Sequence, residues 1–471
     1  MRSSRATRRC EVERKPQTRR VFLAHSAALG LGLLGLSACR PANPNPRPPQ
    51  PTPPTPDSSG KKLLEQADFR FVGAFRLPSS VQGKQGEQSE DAAWGRTLAL
   101  RRVAGEVRVL SLTVKGNLFE VRLPQTLSSS GPWPIAQTVR YWGDLSSNPG
   151  GDQKLLDPGP NGETRNGSSV YGLFWDETDE RLYWSYGDGY NTVSSADPCL
   201  GYSTLEEATG KVSPVGAWRF SEVGCKANMG GVLEIPAWFA DKYCAGQRLG
   251  AGFGGYFSIA TVGPISMGPS LTAFSPPPAH PKGTPEGMVE ALEHTPLLGY
   301  PFNATPYTAP GRAERDADYH TEFDGWNPRA GVGYWSWSDW LWQGAVWVDT
   351  PTRHGLLYFP TLGNGRTWYE TSTLHAEHSS HAWYVYDPSD LAQVAQKQLE
   401  RWQIQATGRW KVSYPGQQGP LPGWADEPRQ MVVGSVWDAA SSRVYVALRQ
   451  TFNPDSSGER GAVVYAYEVQ G

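Results

Sequence analysis

The sequence predicts an all-β protein, a β-propeller of about six or seven blades with long Pro/Gly-rich loop inserts. Three observations lead there. First, turn formers punctuate the whole chain: its 471 residues include 52 Gly and 40 Pro, alongside 19 Trp and 20 Tyr. Aromatic and β-branched runs broken up in this way read as many short strands. Second, long amphipathic helical periods are scarce, with residues 391–399 one of the few short candidates. Third, a two-strand signature recurs.

That signature appears three times. Gly172-Leu173-Phe174-Trp175-Asp176 leads to Arg181-Leu182-Tyr183-Trp184. Gly344-Ala345-Val346-Trp347-Val348-Asp349 leads to Gly355-Leu356-Leu357-Tyr358-Phe359. Gly434-Ser435-Val436-Trp437-Asp438 leads to Arg443-Val444-Tyr445-Val446. Each is an apolar strand closing on an aspartate, a polar turn, then a strand with a central tyrosine. The aspartate can accept turn N–H groups and so set the hairpin register. Residues 107–114 with 117–121, and 463–469, read as further hairpin strands. The repeats start 172 and 90 residues apart, near four and two units of about 43 to 45 residues, a blade-like period. Neighbouring blades would share their aromatic faces, since one blade cannot bury both faces alone. A two-domain β-sandwich is the alternative.

Ahead of this body the chain has a different character. Thr18-Arg19-Arg20-Val21-Phe22-Leu23 precedes a short apolar run, and Leu36-Ser37-Ala38-Cys39 follows it. The paired arginines resemble a twin-arginine export signal, and Leu-Ser-Ala-Cys resembles a bacterial lipobox. The resemblance implies a signal peptide over 1–38, a lipid on the Cys39 thiol, and an extracytoplasmic protein anchored to the cell envelope. A route that exports folded proteins would suit a slow, non-local β topology. Nine prolines in residues 41–56 favour extended polyproline II, a stand-off of roughly 50 Å at about 3.1 Å per residue. Residues 39–60 are therefore a linker and 61–471 the propeller.

Residues 361–368, Thr361-Leu362-Gly363-Asn364-Gly365-Arg366-Thr367-Trp368, resemble a degenerate Asp-box turn of sialidase-type propellers, with Gly363 where that motif has Asp. Asp68-Phe69-Arg70-Phe71-Val72-Gly73-Ala74-Phe75-Arg76-Leu77-Pro78, Gly230-Gly231-Val232-Leu233-Glu234-Ile235-Pro236, Gly246-Gln247-Arg248-Leu249 and Trp383-Tyr384-Val385-Tyr386-Asp387-Pro388-Ser389-Asp390-Leu391 are similar to stretches of an uncharacterised family of secreted bacterial proteins. The resemblance implies one continuous β-rich body and carries over no catalytic residue.

Charged residues are 19% and the net charge is −2, which argues against a nucleic-acid partner, since that needs a basic face. A monomer is expected. Beyond Cys10 and Cys39 the chain has Cys199, Cys225 and Cys244. That allows one disulfide at most, for which Cys225 with Cys244 is the preferred pair, or three free thiols. No cofactor fingerprint and no zinc spacing are present. Gly250-Ala251-Gly252-Phe253-Gly254-Gly255 fits G-x-G-x-x-G but runs into a strand-like segment, so no helix N-terminus follows to meet a phosphate.

Two ligand-binding regions stand out. Residues 326–347 are dense in aromatics, and Trp335 and Trp337 alternate onto one strand face, with Trp340, Asp324 and Asp339 nearby. Indoles beside carboxylates suit a sugar, whose C–H face stacks on the ring while acids take the hydroxyls. The same rings could instead fill the space between blades. Residues 186–191 place Tyr186, Asp188 and Tyr190 among glycines at a strand end, which reads as an exposed loop. His375, His378 and His381, every third residue in a Ser-rich stretch, read as solvated loop histidines, with metal binding as the sharper alternative. The function expected is a surface lipoprotein binding an extracellular carbohydrate or cell-wall polymer. A glycoside hydrolase or polysaccharide lyase on the same scaffold, or an envelope interaction scaffold, are the alternatives.

Overall fold

A computed structural model describes residues 60–84, 88–92, 97–145, 168–188, 198–221, 223–253, 269–278, 290–300, 319–321, 339–340, 344–370, 373–416, 431–452 and 460–471. All of them fall in the compact unit Pro53–Gly471. The signal, Cys39 and the proline-rich linker lie outside the described residues.

The described strands assemble into five mainly antiparallel sheets, the blades, and a separate two-stranded sheet of Ser80–Val81 and Glu90–Asp91. From inner to outer strand, blade 1 is Ala99–Val103, Glu106–Leu112, Asn117–Arg122 and Thr138–Asp144. Blade 2 is Ser168–Asp176, Arg181–Asp188, Leu200–Glu206 and Lys211–Phe220, with Glu290–Leu292 added parallel at its edge. Blade 3 is Gly231–Glu234, Leu249–Gly252, Leu271–Phe274 and His294–Leu298. Blade 4 is Ala345–Asp349, Arg353–Tyr358, the C-terminal part of Thr373–Tyr386, and Gly408–Val412. Blade 5 is Val432–Asp438, Arg443–Phe452 and Arg460–Val469, completed by Phe69–Arg76 from the start of the body. The two ends of the chain thus share one sheet, which ties the ring shut.

Each inner strand packs beside the next around the circle, blade 5 against blade 1 included. Five apolar clusters fill the gaps between successive blades. Trp142, Trp175 and Trp184 sit between blades 1 and 2. Tyr183, Tyr202, Trp218 and Phe274 sit between blades 2 and 3. Trp347, Tyr358, Tyr384 and Tyr386 lie at blades 3 and 4, Trp383, Tyr465 and Tyr467 at blades 4 and 5, and Phe75, Tyr445 and Phe119 at blades 5 and 1. Sharing these faces is what makes single blades stable. Polar groups reinforce blade 1 from within and the seam of blades 3 and 4. Arg101 Nε donates to the fully buried Glu120 at 2.7 Å, and Trp142 Nε1 donates to the same carboxylate at 3.0 Å. Tyr358 Oη donates to the Ser270 carbonyl at 2.7 Å, linking blades 4 and 3.

The blade count corrects the expectation of six or seven: there are five. All three repeated hairpins exist, but they are the inner pairs of blades 2, 4 and 5. The 90 residues from Gly344 to Gly434 make one blade, not two. A long hairpin, Thr361–Glu370 with Thr373–Tyr386, extends beyond the blade and takes up much of that length. A helix, Pro388–Ala395, takes up more. The Asp-box-like residues 361–368 lie in that strand and not in a turn.

The helix expected near 391–399 starts earlier because the Asp387 side chain accepts the Ser389 N–H at 2.8 Å and Pro388 occupies the first turn. It buries Leu391, Ala392 and Val394 in the blade 3–4 cluster, where the helix Ala237–Tyr243 also buries Phe239. Cys225 and Cys244 form no disulfide; they are free, buried thiols, as is Cys199. They belong to two different clusters, one between blades 2 and 3 and one between blades 3 and 4. Among the described residues no helix is long and apolar enough to cross a membrane.

Candidate functional site

Because each inner strand runs in the same sense along the axis, all five end at one mouth of the ring. Four of them end on an acid: Asp176, Glu234, Asp349 and Asp438. Two of these acids perform the turn role expected from sequence. Asp176 Oδ1 accepts the Thr178 N–H at 3.0 Å and Asp438 Oδ1 accepts the Ala440 N–H at 3.2 Å. In blade 4 the neighbouring Thr350 does this work, its hydroxyl accepting the Arg353 N–H at 2.9 Å. That leaves Asp349 available for another partner.

Cations hold three of the four acids. Arg248 donates to Asp176 at 2.6 Å and to Asp179 at 2.8 Å. Arg102 pairs with Asp438 across the blade 1–5 seam. Lys61 pairs with Asp349 at 2.6 Å. Glu234 has no hydrogen bond or ion pair among the described residues and is exposed at the mouth. The protein mass behind it raises its pKa, and the nearby Asp176 carboxylate raises it further, against the opposing pull of Arg248.

Inside this rim lies a cavity of about 330 Å³, at the lower end of the range of ligand pockets, roughly 300–1,000 Å³. Its walls come from the inner strands of four blades: Leu173 and Phe174, Val232 to Glu234, Ala345 to Asp349, and Ser435 to Trp437. Pro236, Ala237 and Trp238, at the start of the helix behind blade 3, complete it. Three indoles therefore line one small space. Trp238 stacks on His354 at 5.9 Å and 29°, and Trp347 packs on Phe239 at 4.7 Å. Trp347 is only 3% exposed, and its indole N–H meets no acceptor. The Trp238 N–H and the Ser435 hydroxyl are also buried without a partner. A buried donor left unpaired costs roughly 1–3 kcal/mol, so these three groups are a cost borne by the residues that line the cavity.

The residues anticipated from sequence fall elsewhere. Tyr186 is a correction: it is not in an exposed loop but in the strand Arg181–Asp188, 2% exposed, with its ring on Trp184 at 5.5 Å. A register shift between Ser185 and Tyr186 accompanies this turn into the core. Asp188 is the last residue of that strand. Asp339 and Trp340 form a two-residue strand paired with Leu362 and Thr361. Tyr190, Asp324, Trp335 and Trp337 lie outside the described residues. The residues 375–381 are strand and not loop, and His381 is buried, its ring on Tyr414 at 5.1 Å. Among the described residues no three His, Cys, Asp or Glu side chains converge as metal ligands would.

Glu234, Trp238 and Asp349 as site residues were missed. One signal was available: Gly231-Val232-Leu233-Glu234 is a fourth short apolar strand ending on an acid, like the three repeated ones.

The fold and site together define a five-bladed propeller with a ligand-sized, indole-lined cavity at one end of its axis. No family model matches the chain, and no curated protein matches it. Among solved structures it is similar to a candidate glycoside hydrolase from Parabacteroides distasonis, with TM-score 0.39, 9% identity, and 88% of this chain and 100% of that one covered. A candidate glycosidase from Bacteroides thetaiotaomicron gives TM-score 0.38 and 11% identity over 85% and 97%. The GH43 endo-arabinanase from Bacillus licheniformis gives 0.35 and 10% over 82% and 95%. Likenesses this weak carry no argument about activity.

Proposed function

We propose that this protein binds a carbohydrate in the axial cavity, one sugar ring at a time. A single observation carries the reading: three tryptophans and two carboxylates from separate blades meet in about 330 Å³. Indole faces offer the apolar surface that sugar C–H groups need, and the acids offer hydroxyl partners. The export and lipobox resemblance supports a place for that binding: an extracytoplasmic domain held to the envelope through Cys39, meeting polysaccharide outside the cell. The acidic and aromatic residues Asp188, Tyr190, Asp324, Trp335, Trp337, Asp339 and Trp340, expected from the sequence as ligand-binding, would serve a second contact area.

Tryptophan fluorescence titration against a panel of mono- and oligosaccharides tests this. Saturable quenching or enhancement by at least one sugar is expected, weakened about tenfold or more in Trp437→Ala. Titrations that stay flat across neutral, acidic and amino sugars would refute it.

One observation favours hydrolysis as a second reading. Glu234 stands without an ion pair in the same cavity wall as Asp349, and two carboxyl groups facing one ligand space are the pairing glycoside hydrolysis uses. Release of reducing ends from a bound oligosaccharide, lost in Glu234→Gln, would distinguish it from binding alone.

A further inference from the structure

The charge around the cavity is one-sided. Three cations at this mouth each pair with an acid: Lys61 with Asp349, Arg248 with Asp176 and Asp179, and Arg102 with Asp438. Of the two carboxylates that line the cavity, Asp349 has its lysine and Glu234 has no ion pair among the described residues; it lines the cavity together with Trp238, Trp347 and Trp437. Beside that acid the Trp347 indole, nine-tenths buried and more, lines the same wall.

An unpaired carboxylate among indoles is a poor host for an acidic sugar, which would bring like charge into a partly desolvated site. A neutral ring would leave the carboxylate to be desolvated with only hydroxyls in return. A protonated amine changes both terms. It pairs with the carboxylate, and indole rings within about 6 Å attract a cation through their quadrupoles. We propose, resting on the carbohydrate reading above, that the cavity selects a sugar carrying a free amine, such as a 2-amino-2-deoxyhexose unit, and that Glu234 is the residue that selects it. The sugar ring then packs on the indoles, and the amine faces Glu234.

The test is isothermal titration of the full chain near neutral pH with two probes: a short β-1,4-linked glucosamine oligomer and its fully N-acetylated counterpart. The free-amine probe is expected to bind at least about tenfold more tightly, and added salt should shrink the ratio. In Glu234→Gln the ratio should fall to within about twofold of unity; in Glu234→Asp, which keeps the charge, part of the preference should persist. Equal affinity for the two probes would overturn the selection while leaving the sugar site standing. A preference that survives Glu234→Gln unchanged would overturn the role of Glu234. Failure of both probes, together with flat titrations across the neutral and acidic sugars, would remove the carbohydrate reading itself and this inference with it.

Discussion

Lys61 and Asp349 stand 288 positions apart in sequence and 2.6 Å apart in space. The pair joins the entry of the chain into its folded body to the last residue of an inner strand, at the wall of the axial cavity. It does not act alone. Lys62 and Leu63 pair in parallel with Arg353 and His354, and the Arg353 guanidinium donates to the Leu63 carbonyl at 3.0 Å. The entry segment is therefore a short added strand on blade 4, clamped at one end by charge.

Removing that clamp should have a modest and local cost. Lys61→Ala or Asp349→Asn is expected to lower stability by about 1 kcal/mol, since both groups are only partly shielded from water. Urea denaturation measures the loss. Hydrogen exchange should show it concentrated at the Leu64 amide, which donates to the His354 carbonyl at 3.0 Å. A loss spread evenly over all five blades would contradict the local picture.

The glycines that open the repeated hairpins mark places where neighbouring blades nearly touch. A methyl on Gly172 would lie 2.2 Å from the Gly231 Cα of blade 3, and one on Gly434 would lie 2.6 Å from the Leu98 N beside blade 1. In both cases the obstacle is backbone, which cannot rotate away. Gly172→Ala and Gly434→Ala should each cost about 2 kcal/mol or more. Gly299→Ala is the control: its methyl meets only the flexible Arg401 side chain, at 3.4 Å, and thermal unfolding should shift little.

Asp390 makes stability depend on pH in a definite direction. Burial, helped by the neighbouring Asp387, raises its pKa to about 6 from 3.8. The folded protein therefore holds this proton more tightly than the unfolded chain does. Its contribution is fully favourable below about pH 4 and is lost as pH climbs toward about 6. Asp390→Asn should flatten that part of the stability–pH curve and add about 1–2 kcal/mol at neutral pH. Chemical denaturation at several pH values checks it; an unchanged slope in the variant would assign the dependence to another group.

The three body cysteines should be silent in the folded state. Cys244 is buried and its pKa is pushed up to about 12, which leaves almost no thiolate to react; Cys199 and Cys225 are buried as well. Iodoacetamide at mildly alkaline pH is expected to alkylate none of them until denaturant is added, and then all three, as read by peptide mass spectrometry. Recovery of a Cys225–Cys244 cross-linked peptide from the native protein would contradict the free thiols.

Much of the architecture was legible because it rests on local pattern. Val107 and its neighbours, the Trp-Asp hairpins and the final strand are all set by period-2 alternation and turn chemistry within a dozen residues. The blade number was not legible. Residues 361–368 resemble a turn and 375–381 read as a loop in sequence, and only the pairing of Thr361–Glu370 with Thr373–Tyr386 shows a projecting hairpin that lengthens one blade. Tyr186 failed for a similar reason: flanking glycines suggest a loop, yet continued pairing with blade 2 carries the strand through to Asp188. Sequence also favoured the densest run of tryptophans, residues 326–347, as the site. Of the described residues among these, Trp347 lines the cavity. Its partners there, Trp238, Trp437 and Glu234, come from two other blades, and no spacing along the chain records that.

The amino-acid sequence by itself determined that this chain folds as β-hairpins sharing aromatic faces, since alternation and turn residues act over a few positions. Which acids would share a mouth, which of them would be neutralised and which left alone was decided only when the ring closed. Closing the ring brings the ends of distant strands together, and a carboxylate at such an end becomes a paired structural group or an open one according to what stands across the axis.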